Sequence, residues 1–238
     1  MSDTPNIVLP LLEAGQAQKH VTMNDALLRL DALGACGVES ASFDAPPPGA
    51  AEGDCYIVAA PGAEDWTGEA GAIAYCVGGG WEFAAPRPGQ RVRIADEGAA
   101  AVWLAGAWRR NAVGDAPFGA HLSATTIAGV EAVVAGAGFD TSLAIPDRAV
   151  VIGVSARVTA ALTGAGLTGW RIGVAGFTDR YGSGVGAALN SIANGITSAP
   201  VGYYGDTPLR IEPEGGSFAG GEIRVAIHYL SLTPPDPV

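Results

Sequence analysis

Residues 149–159 read AVVIGVSARVT. Val150, Ile152, Val154, Ala156 and Val158 fall on one side of an extended chain and Ser155, Arg157 and Thr159 on the other. That two-residue period is the mark of a strand with one face in a core. The alternation returns in Trp170, Ile172 and Val174, in Leu209 and Ile211, and in Ile223, Val225, Ile227 and Tyr229, with further strands expected over Thr126 to Val134 and Asp140 to Ile145. Strands of this kind separated by glycine-rich loops predict a jelly-roll-like β-sandwich over residues 116–238. The final TPPDPV cannot continue a sheet, because proline has no N–H to give.

Upstream, residues 41–115 carry the same period on a smaller scale. Val92 and Ile94 alternate with Arg91 and Arg93, and Ile73, Tyr75 and Val77 with Ala72, Ala74 and Cys76. Gly78, Gly79 and Gly80 before Trp81, and Gly106 before Trp108, read as tight turns. The expectation is a small antiparallel β module near the lower size limit for independent stability. Trp66, Trp81, Trp103 and Trp108, four of the five tryptophans, fall within it. They would serve as a sugar-stacking face or as the bulk of the core, and so small a core needs their area. ESASFDAPPP at 39–48 reads as a linker stiffened by three prolines, and Asn111 to Ala120 as a second linker.

The segment 16–33, QAQKHVTMNDALLRLDAL, departs from the β pattern. Thr22 with Asp25 resembles a capping box, Met23, Ala26, Leu27, Leu30 and Leu33 recur at helical spacing, and Gly34 suits a left-handed stop. A helix this short is not stable alone, so its leucine stripe must dock on a copy of the chain or on another protein. Gln16, Gln18, Lys19, His20 and Asn24 form a polar cluster beside it, either a solvated face or an interface. Residues 1–12, broken by Pro5 and Pro10, read as an extended arm.

Leu9-Pro10, Gln16 to His20, Thr22, Asn24, Ala26-Leu27 and Leu30 to Leu33 resemble the opening signature of the DUF2793 family, found in tailed phages and gene transfer agents of alphaproteobacteria. Gly53-Asp54, Trp81, Pro86 to Gly89, Ile145 to Val158 and Asp179 to Gly184 extend the resemblance along the chain. It implies a structural, non-enzymatic subunit of a virion or gene transfer agent particle, a tail fibre or head spike. Gln16, Gln18, Lys19, His20, Asn24, Leu27 and Leu30 then become attachment and oligomerisation residues. The implied layout is an attachment segment at 1–40, the Trp-rich module at 41–115 and a receptor-binding sandwich at 116–238. Partners would be other tail or capsid proteins and further copies of the chain, a homotrimer by analogy with phage fibres.

Composition narrows the remaining options. Glycine, at 35 residues, has no G-X-Y period, which excludes collagen. A net charge of −11 argues against nucleic acid and anionic membranes, which need clustered Lys and Arg. No apolar run is long enough to span a bilayer, and no basic leader precedes an apolar stretch, so synthesis without a signal peptide in the cytoplasm is expected. Cys36, Cys55 and Cys76 lack metal-ligand spacing, and no metal or cofactor is expected. Gly164 to Gly169 matches GxGxxG but leads into a strand, not a helix, and so reads as a hairpin loop. The histidines are His20, His121 and His228, none in a nucleophile motif. Asp179 with Asp206, or Glu212 with Glu214, are the carboxylate pairs a polysaccharide-degrading tailspike would need. Asp179, Arg180, Tyr181, Tyr203, Tyr204 and Asp206 combine rings with charged groups in what read as loops, the mixture that suits a host cell-surface polysaccharide.

Overall fold

The computed structural model describes residues 3–12, 19–35 and 37–237, and divides into two compact units, 1–119 and 120–238. Among the described residues it is mainly β, with one α-helix, as the period-two pattern requires.

In the first unit, helix α1 spans Lys19–Gly34. It is followed by β1 (Gly37–Val38), β2 (Cys55–Ile57), β3 (Ile73–Val77), β4 (Gly80–Ala84), β5 (Arg91–Ile94), β6 (Ala99–Leu104), β7 (Ala107–Arg110) and β8 (Ala112–Asp115). One sheet runs β2-β3-β4 and another β1-β5-β6-β7, with β1 parallel to β5 and the other pairs antiparallel. Four of the five residues of β3 are buried, because the sheet has a core on each face. Ile73 and Tyr75 join Ala32, Val38, Ile57, Ile94 and Trp108 on one side, and Ala74 joins Tyr56, Val58 and Trp66 on the other. The tryptophans are packing elements: Trp66 and Trp108 are buried, Trp66 meets Trp81 edge-on at 5.0 Å, and Trp108 donates to the Gly71 carbonyl at 2.9 Å.

Several expectations for this unit are corrected. The helix begins at Lys19, so Thr22 lies inside it and caps nothing. Gly34 is its last residue and does not take the left-handed conformation. The helix docks on its own unit through Ala32 and Leu33. The arm is no loose extension: Thr4 N–H donates to the Leu9 carbonyl, Leu9 N–H donates to the Thr4 hydroxyl, and Asp3 bridges to Pro10. Segment 39–48 is pinned along β2 by Glu39 N–H to the Cys55 carbonyl and Ile57 N–H to the Ser40 carbonyl, with Phe43 edge-on to Tyr56. The expected linker at 111–120 contains β8.

The second unit holds eight strands: β9 (His121–Ala132), β10 (Phe139–Ile145), β11 (Val150–Thr163), β12 (Gly169–Val174), β13 (Phe177–Val185), β14 (Ile192–Gly202), β15 (Thr207–Glu214) and β16 (Gly220–Thr233). One sheet is ordered β10-β15-β12-β13; within the unit the other runs β14-β11-β16-β9. Every connection except the β12–β13 hairpin crosses from one sheet to the other. That winding is the jelly roll, two Greek keys closed face to face. The core between the sheets is built from Ile145, Val154, Val158, Trp170, Ile172, Leu209, Ile211, Ile223, Val225 and Ile227. The alternation in β11 holds from Val154 to Val158 and fails before it. A register shift between Val151 and Gly153 turns Val151 inward and leaves Ile152 exposed, as a β-bulge does. Gly164 to Leu167 is a turn between β11 and β12 with no helix after it, but the two strands belong to different sheets, so it is a crossover and not the expected hairpin loop.

Candidate functional site

Two surfaces carry the residues singled out in the sequence. On the first unit, Asp31 is 1% exposed and holds the arm against α1. Its carboxylate accepts from the Thr4 hydroxyl at 2.6 Å, Ile7 N–H at 2.6 Å, Asn6 N–H at 3.0 Å and the Asn6 amide at 2.9 Å. Burial raises the Asp31 pKa, but these hydrogen bonds outweigh it and hold the carboxyl below the ordinary range. Asn24 works in the same way, accepting from Leu12 N–H and donating to the Leu12 carbonyl, so its amide is committed within the chain. His20 is half-buried with an unpartnered Nδ1, Leu27 is half-buried and Leu30 is 55% exposed. Lys19 opens the helix, and Gln16 and Gln18 lie outside the described residues. Ile7, Val8, Leu12, Val21, Met23 and Leu30 are all exposed, so of the expected stripe of Met23, Ala26, Leu27, Leu30 and Leu33 only part lies on the surface, joined there by apolar residues of the arm.

On the jelly roll, the Asp179 to Gly184 segment is part of strand β13, not a loop. Tyr181 is 1% exposed and its hydroxyl lies 2.7 Å from that of Tyr203. Its ring is core and cannot stack on a sugar, which corrects that part of the expectation. Burial, then the Tyr203 hydroxyl, raise its pKa far above the phenolic range. Arg180 lies over the Phe177 ring at 4.4 Å, with its Nε buried and unpartnered, and Asp179 is exposed on the strand.

Tyr203 to Asp206 does form a loop, and there the expected mixture of groups meets. Asp206 accepts from Asp147 N–H at 2.9 Å and Asp147 accepts from Gly205 N–H at 2.5 Å, so the two carboxylates knit the 146–149 turn to the 203–206 loop. This reciprocal bracing presents Tyr204, 93% exposed, beside Arg148. Together with Val150, Tyr203 and Leu232 they line an open depression of ≈ 470 Å³. Arg148 was missed in the sequence; its signal was the Pro-Asp turn directly before β11.

The other carboxylates are occupied. Arg171, and then Arg210, hold Glu212 below the usual carboxylate range despite its partial burial, the reverse of what a general acid needs. Both Glu214 carboxylate oxygens accept from Gly184 N–H. Among the described residues no cluster of His, Cys, Asp and Glu is arranged to hold a metal ion, and no helix is long and apolar enough to cross a membrane. Cys55 and Cys76 are buried free thiols, and burial followed by Asp31, Asp54 and Glu39 pushes the Cys55 thiol up to about 12. Cys36 lies outside the described residues.

The family model described as "Protein of unknown function (DUF2793)" matches residues 23–109. That stretch lies within the first unit. The match to DUF2793 begins within α1 and ends in β7, so the second unit lies outside it. A chain in the solved structure titled "Cyanophage Pam1 capsid asymmetric unit" is similar over 52% of this chain and 93% of its own, at 23% identity and a TM-score of 0.33. At that score the likeness fixes neither fold nor role. No curated relative matches the chain.

Proposed function

We propose that the chain is a non-enzymatic structural subunit of a phage-like particle, a tail fibre or head spike of a phage or gene transfer agent. The observation that carries the reading is the match to DUF2793 over residues 23–109, in a unit that precedes the jelly roll in the chain. Jelly rolls recur in viral shell and lectin domains, although fold by itself assigns no role. In this reading the exposed apolar residues of the arm and α1 meet other copies and the tail or capsid proteins, with a homotrimer as the assembly. The Tyr204–Arg148 depression, with Tyr203 and Asp206 supporting it, meets host surface polysaccharide. One exposed ring and one exposed guanidinium, Arg148, whose Nε lies 3.6 Å from Asp147, suit a weak site, about 4 kcal/mol at millimolar affinity, which repetition over a particle multiplies.

Particles from a strain expressing residues 35–238 test the attachment role: the expected result is intact particles that lack the subunit. Normal incorporation of the truncated chain would reverse the assignment. Tyr204→Ala in the full chain should reduce adsorption of particles to cells while leaving the melting temperature unchanged. Release of reducing ends from host capsule by the purified protein would replace this reading with that of a tailspike enzyme. Unchanged adsorption by particles lacking the chain would leave a connector that never touches the cell.

A further inference from the structure

We infer that the outer face of the β14-β11-β16-β9 sheet is a second ligand site, for a carboxylate-bearing saccharide gripped between Arg157 and Arg224. The face is distinct from the Tyr204 end of the jelly roll, and the inference stands whether or not the chain belongs to a particle.

Arg157 and Arg224 are direct partners in the β11–β16 register, and both side chains are on the solvent side. Like charges directly opposite one another on a sheet repel and destabilise it. Acidic residues outnumber Lys and Arg by 24 to 13 in this chain, yet neither arginine has an ion-pair partner among the described residues. The hydrogen bond from Arg157 is a long one, to the Asn190 carbonyl at 3.5 Å. The carboxylate nearest in sequence, Glu222, lies two residues before Arg224 and is engaged by the Thr159 hydroxyl at 2.6 Å. The pair is therefore two arginines without an ion pair among the described residues, at directly opposed positions on the two inner strands of the sheet.

The surroundings indicate the kind of anion. Arg157 and Arg224 line a depression of ≈ 390 Å³ with Ser155, Asn194, Ala128 and Ala226. The alanines keep the floor low enough for close approach, and the Ser155 hydroxyl and Asn194 amide are partners for sugar hydroxyls. Next to the depression the His228 ring sits between Thr126 and Ser155, its Nδ1 3.0 Å from one hydroxyl and its Nε2 2.9 Å from the other, which orients the Ser155 hydroxyl. Guanidinium forks match the planar two-oxygen geometry of a carboxylate. A shallow, open face with both charged and hydroxyl-bonding groups suits a segment of acidic glycan better than an enclosed small molecule. Nucleic acid is disfavoured, because two arginines on a chain of net charge −11 neutralise too few phosphates.

The test is titration calorimetry on the full chain with three probes: a uronate-containing oligosaccharide, the same oligosaccharide with its carboxyls reduced to alcohols, and inorganic phosphate. The uronate form should bind, the reduced form should bind at least tenfold more weakly, and phosphate should not compete at equal concentration. Arg157→Gln and Arg224→Gln should each weaken uronate binding at least tenfold, Arg224→Lys less, and Tyr204→Ala not at all. Without ligand, each Gln variant should melt at or above the parent temperature, since repulsion is relieved. Equal binding of the reduced sugar, full competition by phosphate, or unchanged affinity in both Gln variants would each overturn the inference. So would a change of mass in light scattering on Arg224→Gln, which would make the face a contact between copies.

Discussion

Asp31 concentrates four hydrogen bonds on one carboxylate that is almost fully removed from water. Asp31→Ala strands the backbone N–H groups of Asn6 and Ile7 and should cost about 3 kcal/mol, since donors to a buried charge lose both partner and solvent. The folded pKa lies below the unfolded value of about 3.9, so this stability is complete above that pH and disappears as pH falls through the folded value. Denaturant melts of the parent and of Asp31→Asn should therefore differ at neutral pH and converge in strong acid. Glu212 obeys the same sign through Arg171 and Arg210, with a smaller effect because that cluster is more exposed. Cys55 follows from burial: it should resist thiol reagents at pH 8 until the protein is unfolded, as mass spectrometry after alkylation would record.

Strands β13 and β14 come so close that a Cβ on Gly195 would run into the backbone carbonyl of Tyr181. Gly195→Ala must force the strands apart and should lower the melting temperature of the jelly roll by several degrees or prevent its folding. Gly202→Ala, on the same strand with nothing within 4 Å and no positive φ, should be close to neutral. Both glycines looked alike in the sequence. The jelly roll was legible because Val154 to Val158 and Ile223 to Ile227 alternate over a single buried face. β13 and β14 were not, because Gly182, Gly184 and Gly195 imitate loop composition where Gly182 pairs with Ile172, Gly184 takes a left-handed φ of 64° in open space, and Gly195 lies against the Tyr181 backbone. α1 was visible from its leucines, but the docking surface was misassigned. Asp31, which organises the arm, carries no local signal beyond being an acid in a helix. For the candidate site, Tyr204 and Asp206 could be read from the sequence, whereas Arg148 depends on the bracing between Asp147 and Gly205 across distant residues.

Each unit buries its own cluster of large apolar side chains, so the two should unfold separately. Calorimetry should resolve two transitions, with Asp31→Ala lowering one and Gly195→Ala the other; a single shared transition would contradict this. Light scattering at micromolar concentration should return three times the chain mass, and Leu30→Asp should reduce it by placing a charge where apolar surface is covered. The pairing of β16 has a further consequence, for synthesis. Strand β16 lies between β9 and β11, so the first strand of the jelly roll and the last are neighbours throughout their length. β9 leaves the ribosome with its neighbour β16 still unmade and must wait for that pairing while all the intervening strands are translated. A nascent chain released early would lack the middle of its sheet and expose two unpaired edges, ready substrates for chaperones and proteases. The jelly roll thus closes only when translation has passed Thr233, which makes its folding a report that β16 has been made.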